Sequence, residues 1–266
     1  MQGEASYLQL SYGQVLLATL LILINGGVSL ALQLGLERRL LYAAVRMTVQ
    51  LLLVGLVLRW VFAQQQWFVV VGLASVMASV AGVAAVRRVK HRYRGIWLDS
   101  VISVWASSWF VTGLALTLIL PVRPWYLPQY AIPLLGMVLG NTLTGISLGL
   151  DRIGEDLTTQ RLRVETLLAL GATRWEAASP SIQQAIRTAM IPTLNTMMVV
   201  GIVSLPGLMT GQLLAGVDPV QAVKYQIVIM FLIASGTALG TMGVVLFSYR
   251  RLFNAAHQFL YWRIRN

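Results

Sequence analysis

The sequence contains no cysteine, which excludes disulfide bridges and thiolate metal sites. Histidine is almost missing as well: His91 and His257 are the two, both in basic segments. The lysines are Lys90 and Lys224, preceded by Val89 and Val223. A phosphate-binding loop requires Gly-Lys followed by Ser or Thr. The chain therefore cannot hydrolyse a nucleotide by that route, and a nucleotide-driven motor would have to be another polypeptide. Charge is scarce throughout, at 11% of residues, where a soluble domain carries about a quarter. Residues 1–14 hold Glu4 and no basic residue, so no cleavable signal peptide is expected.

Apolar sequence is abundant. Of 266 residues 57% are hydrophobic, and mean hydropathy is +0.73. Lipid is the solvent for most of such a chain. Seven runs are long enough to span a bilayer, at about 14–36, 40–62, 67–86, 96–120, 130–150, 190–214 and 222–248. The expected fold is all-α and polytopic, one transmembrane domain over residues 1–266 with a polar loop at about 151–189. No soluble domain, linker or low-complexity tract interrupts it, and nothing in the pattern asks for a cofactor.

The net charge of +11 could suggest nucleic acid, but its distribution argues for topology. Most of the 20 basic residues fall after alternate runs: Arg38 and Arg39; Arg87, Arg88, Lys90, Arg92 and Arg94; Arg152, Arg161, Arg163, Arg174 and Arg187; Arg250, Arg251, Arg263 and Arg265. The opposite gaps hold Arg59, Arg123 and Lys224. By the positive-inside rule the N-terminus lies outside and the C-terminus in the cytoplasm, and nucleic-acid binding is not expected. Trp60, Trp67, Trp125, Tyr126 and Tyr130 at outer span ends, Tyr7 and Tyr12 before the first span, and Phe259, Tyr261 and Trp262 after the last read as interface anchors.

Residues 133–176 organise the rest. Gly136, Gly140, Gly145 and Gly149 form two Gly-xxx-Gly spacings that allow close helix approach in lipid. The stretch turns polar at Asp151-Arg152, where a membrane helix would leave the bilayer. Leu170-Gly171 reads as a helix end with glycine in the left-handed region. Thr173-Arg174-Trp175-Glu176 reads as a capping box. Ser179-Pro180 is expected to end that helix within about a turn. The outcome would be a short helix at 173–178 outside the bilayer, a shape for docking. Gly145-Ile146-Ser147-Leu148-Gly149 matches the G-x-S-x-G nucleophile elbow, but that motif needs a strand–turn–helix and a histidine base. Helix packing explains it better.

Polar residues inside the spans mark a candidate path. The sixth run combines Pro192, Asn195, Pro206 and Gln212 with four glycines, and freed backbone is tolerated only in protein or beside water. Asn141, Asn195 and Gln212 are the polar candidates. Met197, Met198 and Met209 could form a soft-metal path, although gap-filling core is the commoner role. In the second run Arg46 and Gln50 share one helix face. Arg46 either pairs with Asp99, lines an inner vestibule with it, or snorkels to the interface.

GMVLGNTLTGISLGLDR, ETLLALGATRWEA, AMIPTLNTMMVVGIVSLPGLMTGQLLAG and DPVQAVKYQIVIMF, with the R-x-x-x-Q-L of Arg46, Gln50 and Leu51, resemble the FetB-type family of iron-export ABC permeases. Plant membrane subunits linked to aluminium tolerance are similar. The resemblance implies a permease of a bacterial inner membrane, paired with a separate cytoplasmic ABC ATPase subunit and exporting iron or another metal ion. Two permeases with two ATPases would form the complex, since glycine-rich faces need partners. It also implies a coupling element at Glu165, Gly171, Ala172, Thr173, Arg174, Trp175 and Glu176. Glu165 and Gly171 keep the spacing of the Glu-Ala-Ala…Gly signature of ABC permeases, with Thr166-Leu167 in place of Ala-Ala. The competing reading is an ion-driven secondary carrier or channel, which would require titratable groups at mid-membrane.

Overall fold

Helix dominates the chain because apolar runs in lipid must satisfy their backbone hydrogen bonds internally. A computed structural model describes residues 11–265; Glu4 and Tyr7 lie outside them. The helices are α1 (Tyr12–Ala31), α2 (Glu37–Gln64), α3 (Trp67–Arg87), α4 (Ile96–Leu114), α5 (Pro128–Thr159), α6 (Arg161–Ala169), α7 (Arg174–Val199), α8 (Gly207–Leu214) and α9 (Pro219–Leu252). A two-stranded antiparallel ribbon joins β1 (Arg92–Tyr93) to β2 (Ile264–Arg265). Six helices, α1 to α5 and α9, are long and apolar enough to cross a membrane.

The sixth run of the sequence is not one crossing helix. Its first part is the end of α7, which stops at Val199, and its last part is α8. Between them Gly201 adopts a left-handed φ of +85° and its N–H closes a turn on Ser204 O at 2.9 Å. Pro206 has no N–H to continue a helix and stands at the start of α8 instead.

The helix at 174 also differs from expectation. It does not end at Pro180 but runs unbroken to Val199. A proline in a helix removes one bond of the ladder, and here packing offsets that loss: Ala177, Ala178, Ser181 and Ile182 on either side of it are buried. The short helix outside the spans is therefore α6, not 173–178.

The core is built by α3, α4, α5, α7 and α9, and small residues set how closely they approach. A Cβ on Gly145 would sit 2.5 Å from Thr237 Cγ2, and one on Gly149 2.8 Å from Thr241 Cγ2. From the α9 side, a Cβ on Gly240 would meet Thr142 Cγ2 at 2.6 Å and Ser107 Oγ at 2.9 Å. Threonine methyls of each helix thus fill the glycine notches of the other. Gly136 and Gly140 make no such approach; Gly140 has open space beside it. Buried hydroxyls bridge helices as well: Ser100 donates to Gly82 O at 2.8 Å and Ser147 to Ala85 O at 2.9 Å. Ser147 is thus a packing residue between two glycine notches.

By contrast, α1 and α2 bury almost nothing against the rest of the chain. Their corner is fixed by Ser29, which donates to Glu37 Oε2 and accepts from Leu36 N, both at 3.0 Å.

Candidate functional site

Three of the basic segments meet at one end of the bundle. The 88–95 loop pairs with the C-terminal tail through β1 and β2. Lys90 N–H donates to Asp151 on α5 at 3.0 Å. The tail in turn reaches the start of α7, where Arg174 N–H donates to His257 Nδ1 at 2.9 Å and Arg174 Nη1 to Asn254 O at 3.1 Å. Trp60, Trp67 and Trp125 are exposed at the other end.

On the basic end, α5 continues past Asp151-Arg152 to Thr159 and hands over to α6. The exit from α6 is a full Schellman turn. Gly171 has φ +91°, its N–H bonds Leu168 O at 3.1 Å, and Ala172 N–H bonds Leu167 O at 3.0 Å. The capping box forms as the sequence suggests: Glu176 N–H donates to Thr173 Oγ1 at 3.3 Å and Thr173 N–H to Glu176 Oε2 at 2.7 Å. The Thr173 N–H and the Thr173 hydroxyl, which donates to the same Oε2 at 2.8 Å, hold the Glu176 carboxyl below the usual carboxylate range.

The turn is braced from behind. Trp175 packs edge-on against Tyr249, and the aromatic row continues through Phe253 and Phe259 to Tyr261. The Arg161 guanidinium lies 4.1 Å over the Tyr261 ring while its Nε donates to Glu165 at 2.7 Å. Phe259 is buried and Tyr261 half-buried, so these two serve as braces rather than lipid anchors; Trp262 alone of the three is exposed. Sequence reasoning missed this support because it depends on contacts between residues far apart in the chain, from Trp175 with Tyr249 to Arg161 with Tyr261. The front of the element is left open: Leu162 is 79% and Leu170 80% exposed.

Asp99 does not pair with Arg46. Its carboxylate accepts from Arg251 Nε at 2.7 Å and Arg251 Nη2 at 2.9 Å, and from the Tyr93 hydroxyl at 3.1 Å. Arg46 and Gln50 stand exposed on α2. The Arg251 partner becomes available because Gly95, at φ +94°, lets the guanidinium cross its backbone; a Cβ there would lie 2.7 Å from Arg251 Cζ. Burial pushes the Tyr93 phenol far above its ordinary value, and the neighbouring carboxylate adds to the shift.

The polar path candidates are only partly gathered. Asn141 and Thr193 line a cavity of about 190 Å³ with Gln226 and Met230. Met197 and Met209 line another of about 450 Å³ that shares Gln226 and Met230. Gln226 is buried at 6% exposure and its Oε1 has no partner among the described residues. It was missed in sequence although it is the lone amide within KYQIVIMF. Gln212 Oε1 on α8 is also without a partner among the described residues, whereas Asn195 and Met198 face outward. Among the described residues, no three His, Asp or Glu side chains converge as a metal site would require.

A multi-pass helical membrane protein with a rigid, braced helix–turn–helix beyond its spans is the class that fold and site define. The chain belongs to the Uncharacterised protein family (UPF0014), which it matches over residues 12–253. It is 41% identical to the UPF0014 membrane protein slr1647 of Synechocystis sp. over 85% of this chain and 88% of that one. It is 31% identical to the probable iron export permease protein FetB of Escherichia coli (strain K12), over 94% of this chain and 95% of that one. Identity to the protein ALUMINUM SENSITIVE 3 of Arabidopsis thaliana is 31%, over 91% of this chain and 87% of that one. No solved structure matches it.

Proposed function

We propose that this chain is the membrane permease of an ATP-binding-cassette exporter, worked by a separate ATPase subunit that docks on α6, the Gly171 turn and the start of α7. The observation that carries this reading is the exposed apolar front of that element. Leu162 near the start of α6 and Leu170 at its C-terminal cap are exposed on an element whose exit is held by a Schellman motif, a capping box and an aromatic brace. Apolar side chains presented outside the spans on a fixed frame suit a protein partner. The basic end is cytoplasmic under this reading, the membrane is a bacterial inner membrane, and two permeases assemble with two ATPases. ATP binding in the partner shifts the permease between inward-open and outward-open states through the element it grips.

The cargo is iron or another metal ion, as the name of the Escherichia coli relative suggests for that protein. Asn141, Gln226, Met197 and Met209 line its path. With amide and thioether donors the contacts to a metal are weak, which favours release over retention.

The cysteine-free sequence supplies the test. With Leu170→Cys carrying the sole thiol, a short crosslinker should join the permease to the ATPase subunit, and Leu170→Asp should abolish ATP-dependent transport while the protein still inserts. Normal nucleotide-dependent flux in Leu170→Asp would overturn the docking assignment, and transport in vesicles lacking nucleotide and partner would favour an ion-driven carrier.

A further inference from the structure

Beside the α3–α4 loop lie two adjoining hollows, of about 710 Å³ and about 470 Å³, with Arg94 in the wall of both. Lys90 and Arg92 line the first, and Arg251 and Arg263 the second. Arg251 is committed to Asp99 and Arg92 is tied to the carbonyls of Val89 and Arg87. Lys90 and Arg94 are both exposed, and among the described residues neither reaches a carboxylate within ion-pair distance. Of the nearby carboxylates, Asp99 is paired with Arg251, and Asp151 accepts the Lys90 N–H on one oxygen and keeps its charge. Five basic side chains against these two carboxylates leave an excess of positive charge in a concave surface.

Its position identifies what would neutralise it. The loop joins the end of one candidate span at Arg87 to the start of the next at Ile96, so it lies where hydrocarbon gives way to headgroups. Trp97 lines the first hollow and Trp262 the second, and both are exposed; indole rings favour this depth. Leu98 and Ile102, four residues apart on α4 and following Trp97 in sequence, are exposed apolar side chains.

We infer that the two hollows that meet at Arg94, with Lys90 in the wall of one and Arg263 in the wall of the other, bind the phosphate headgroup of an anionic phospholipid, with the acyl chains lying along Leu98 and Ile102. The lipid acts as a tie between the α3–α4 loop and the C-terminal tail, the two segments joined by the β1–β2 ribbon behind the α6–α7 element. Basic hollows between span ends suit this class of ligand. The inference rests on the spans and the charge, and is independent of the transport reading.

The test uses the purified full chain in neutral detergent, stripped of lipid and titrated with phosphatidylglycerol, phosphatidylcholine or inorganic phosphate, with the thermal midpoint as readout. Phosphatidylglycerol should raise the midpoint, and the other two should not. The double variant Lys90→Ala/Arg94→Ala should keep its lipid-free midpoint and need about 30-fold more phosphatidylglycerol for the same shift, at ~1 kcal/mol per basic side chain. Arg38→Ala/Arg39→Ala, which removes the same charge elsewhere, should respond as the unaltered chain does. An equal shift with phosphatidylcholine, an unchanged response in the Lys90/Arg94 variant, or an equal loss in the Arg38/Arg39 variant would overturn the site. A shift with inorganic phosphate alone would reassign it to a free anion. If the Lys90/Arg94 variant loses the ATPase subunit but keeps its lipid response, the hollow is a protein contact and the lipid assignment falls.

Discussion

Asp99 on the first turn of α4 and Arg251 on the last turn of α9 form a two-pronged ion pair, at 2.7 Å and 2.9 Å, between residues 152 apart in sequence. Asp99 is 3% exposed, while the Arg251 side chain keeps 40% of its surface. Breaking one partner of a buried pair leaves an uncompensated charge and costs about 3–5 kcal/mol; water at Arg251 reduces that to roughly 2–3 kcal/mol. Asp99→Asn should therefore lower the thermal midpoint clearly, and Arg46→Ala should leave it within the ~0.5 kcal/mol scatter of surface changes. Coupling between Asp99 and Arg46 in a double-mutant cycle would contradict the structure.

The same network gives an alkaline sensitivity. Tyr93 donates to Asp99 and lies 3.0 Å from Ser248 Oγ. Its phenol is raised above the ordinary value of 10.0, so the folded chain favours the protonated form. The stabilisation is complete below the unfolded value and is lost as pH rises beyond it. Thermal midpoints of the unaltered chain should fall on going from pH 9 to about 11, and Tyr93→Phe should lack that part of the fall.

Glycine notches should differ by position. Gly240→Ala would bring a methyl against Thr142 Cγ2 and Ser107 Oγ, an overpacking that costs about 1–3 kcal/mol. Gly140→Ala meets nothing within 4 Å and should be neutral or slightly stabilising for the fold of a single chain, through helix propensity. Equal effects in detergent unfolding would argue against the α5–α9 register.

Acid should loosen the start of α7. Glu176 is held below the ordinary carboxylate value of 4.5 by its bonds to Thr173. Its contribution is present above the unfolded value and disappears as pH falls through the folded one. Hydrogen-exchange protection of amides 174–177, corrected for intrinsic rate, should drop below about pH 4.5 in the unaltered chain. In Glu176→Gln that dependence should be absent. Thr173→Ala should weaken the same amides at neutral pH by ~1 kcal/mol.

Much of this was legible in the sequence where the signal is local. The Gly171 turn and the Thr173–Glu176 cap are written in six consecutive residues, and both form as read. Lipid compatibility is a matter of composition and run length, and five of the seven apolar runs lie in α1 to α5 and the last in α9. Pro180 misled because a breaker signal states only the cost of one lost bond, not the burial of Ala177, Ala178, Ser181 and Ile182 that outweighs it. The 190–214 run misled for the opposite reason: hydropathy averages over Gly201 and Pro206, where the backbone turns.

What the sequence determined by itself was the solvent of each segment and the shape of each short turn, because both follow from side-chain polarity and from φ preferences within a few residues. What only the tertiary structure decided was partnership: Arg251 rather than Arg46 for Asp99, the aromatic tail behind Trp175, and Gln226 between two cavities. A buried charge or amide requires a partner or a ligand, but many are chemically acceptable, and which one lies within three ångströms is fixed by how α4, α5, α7 and α9 interlock at their glycine notches.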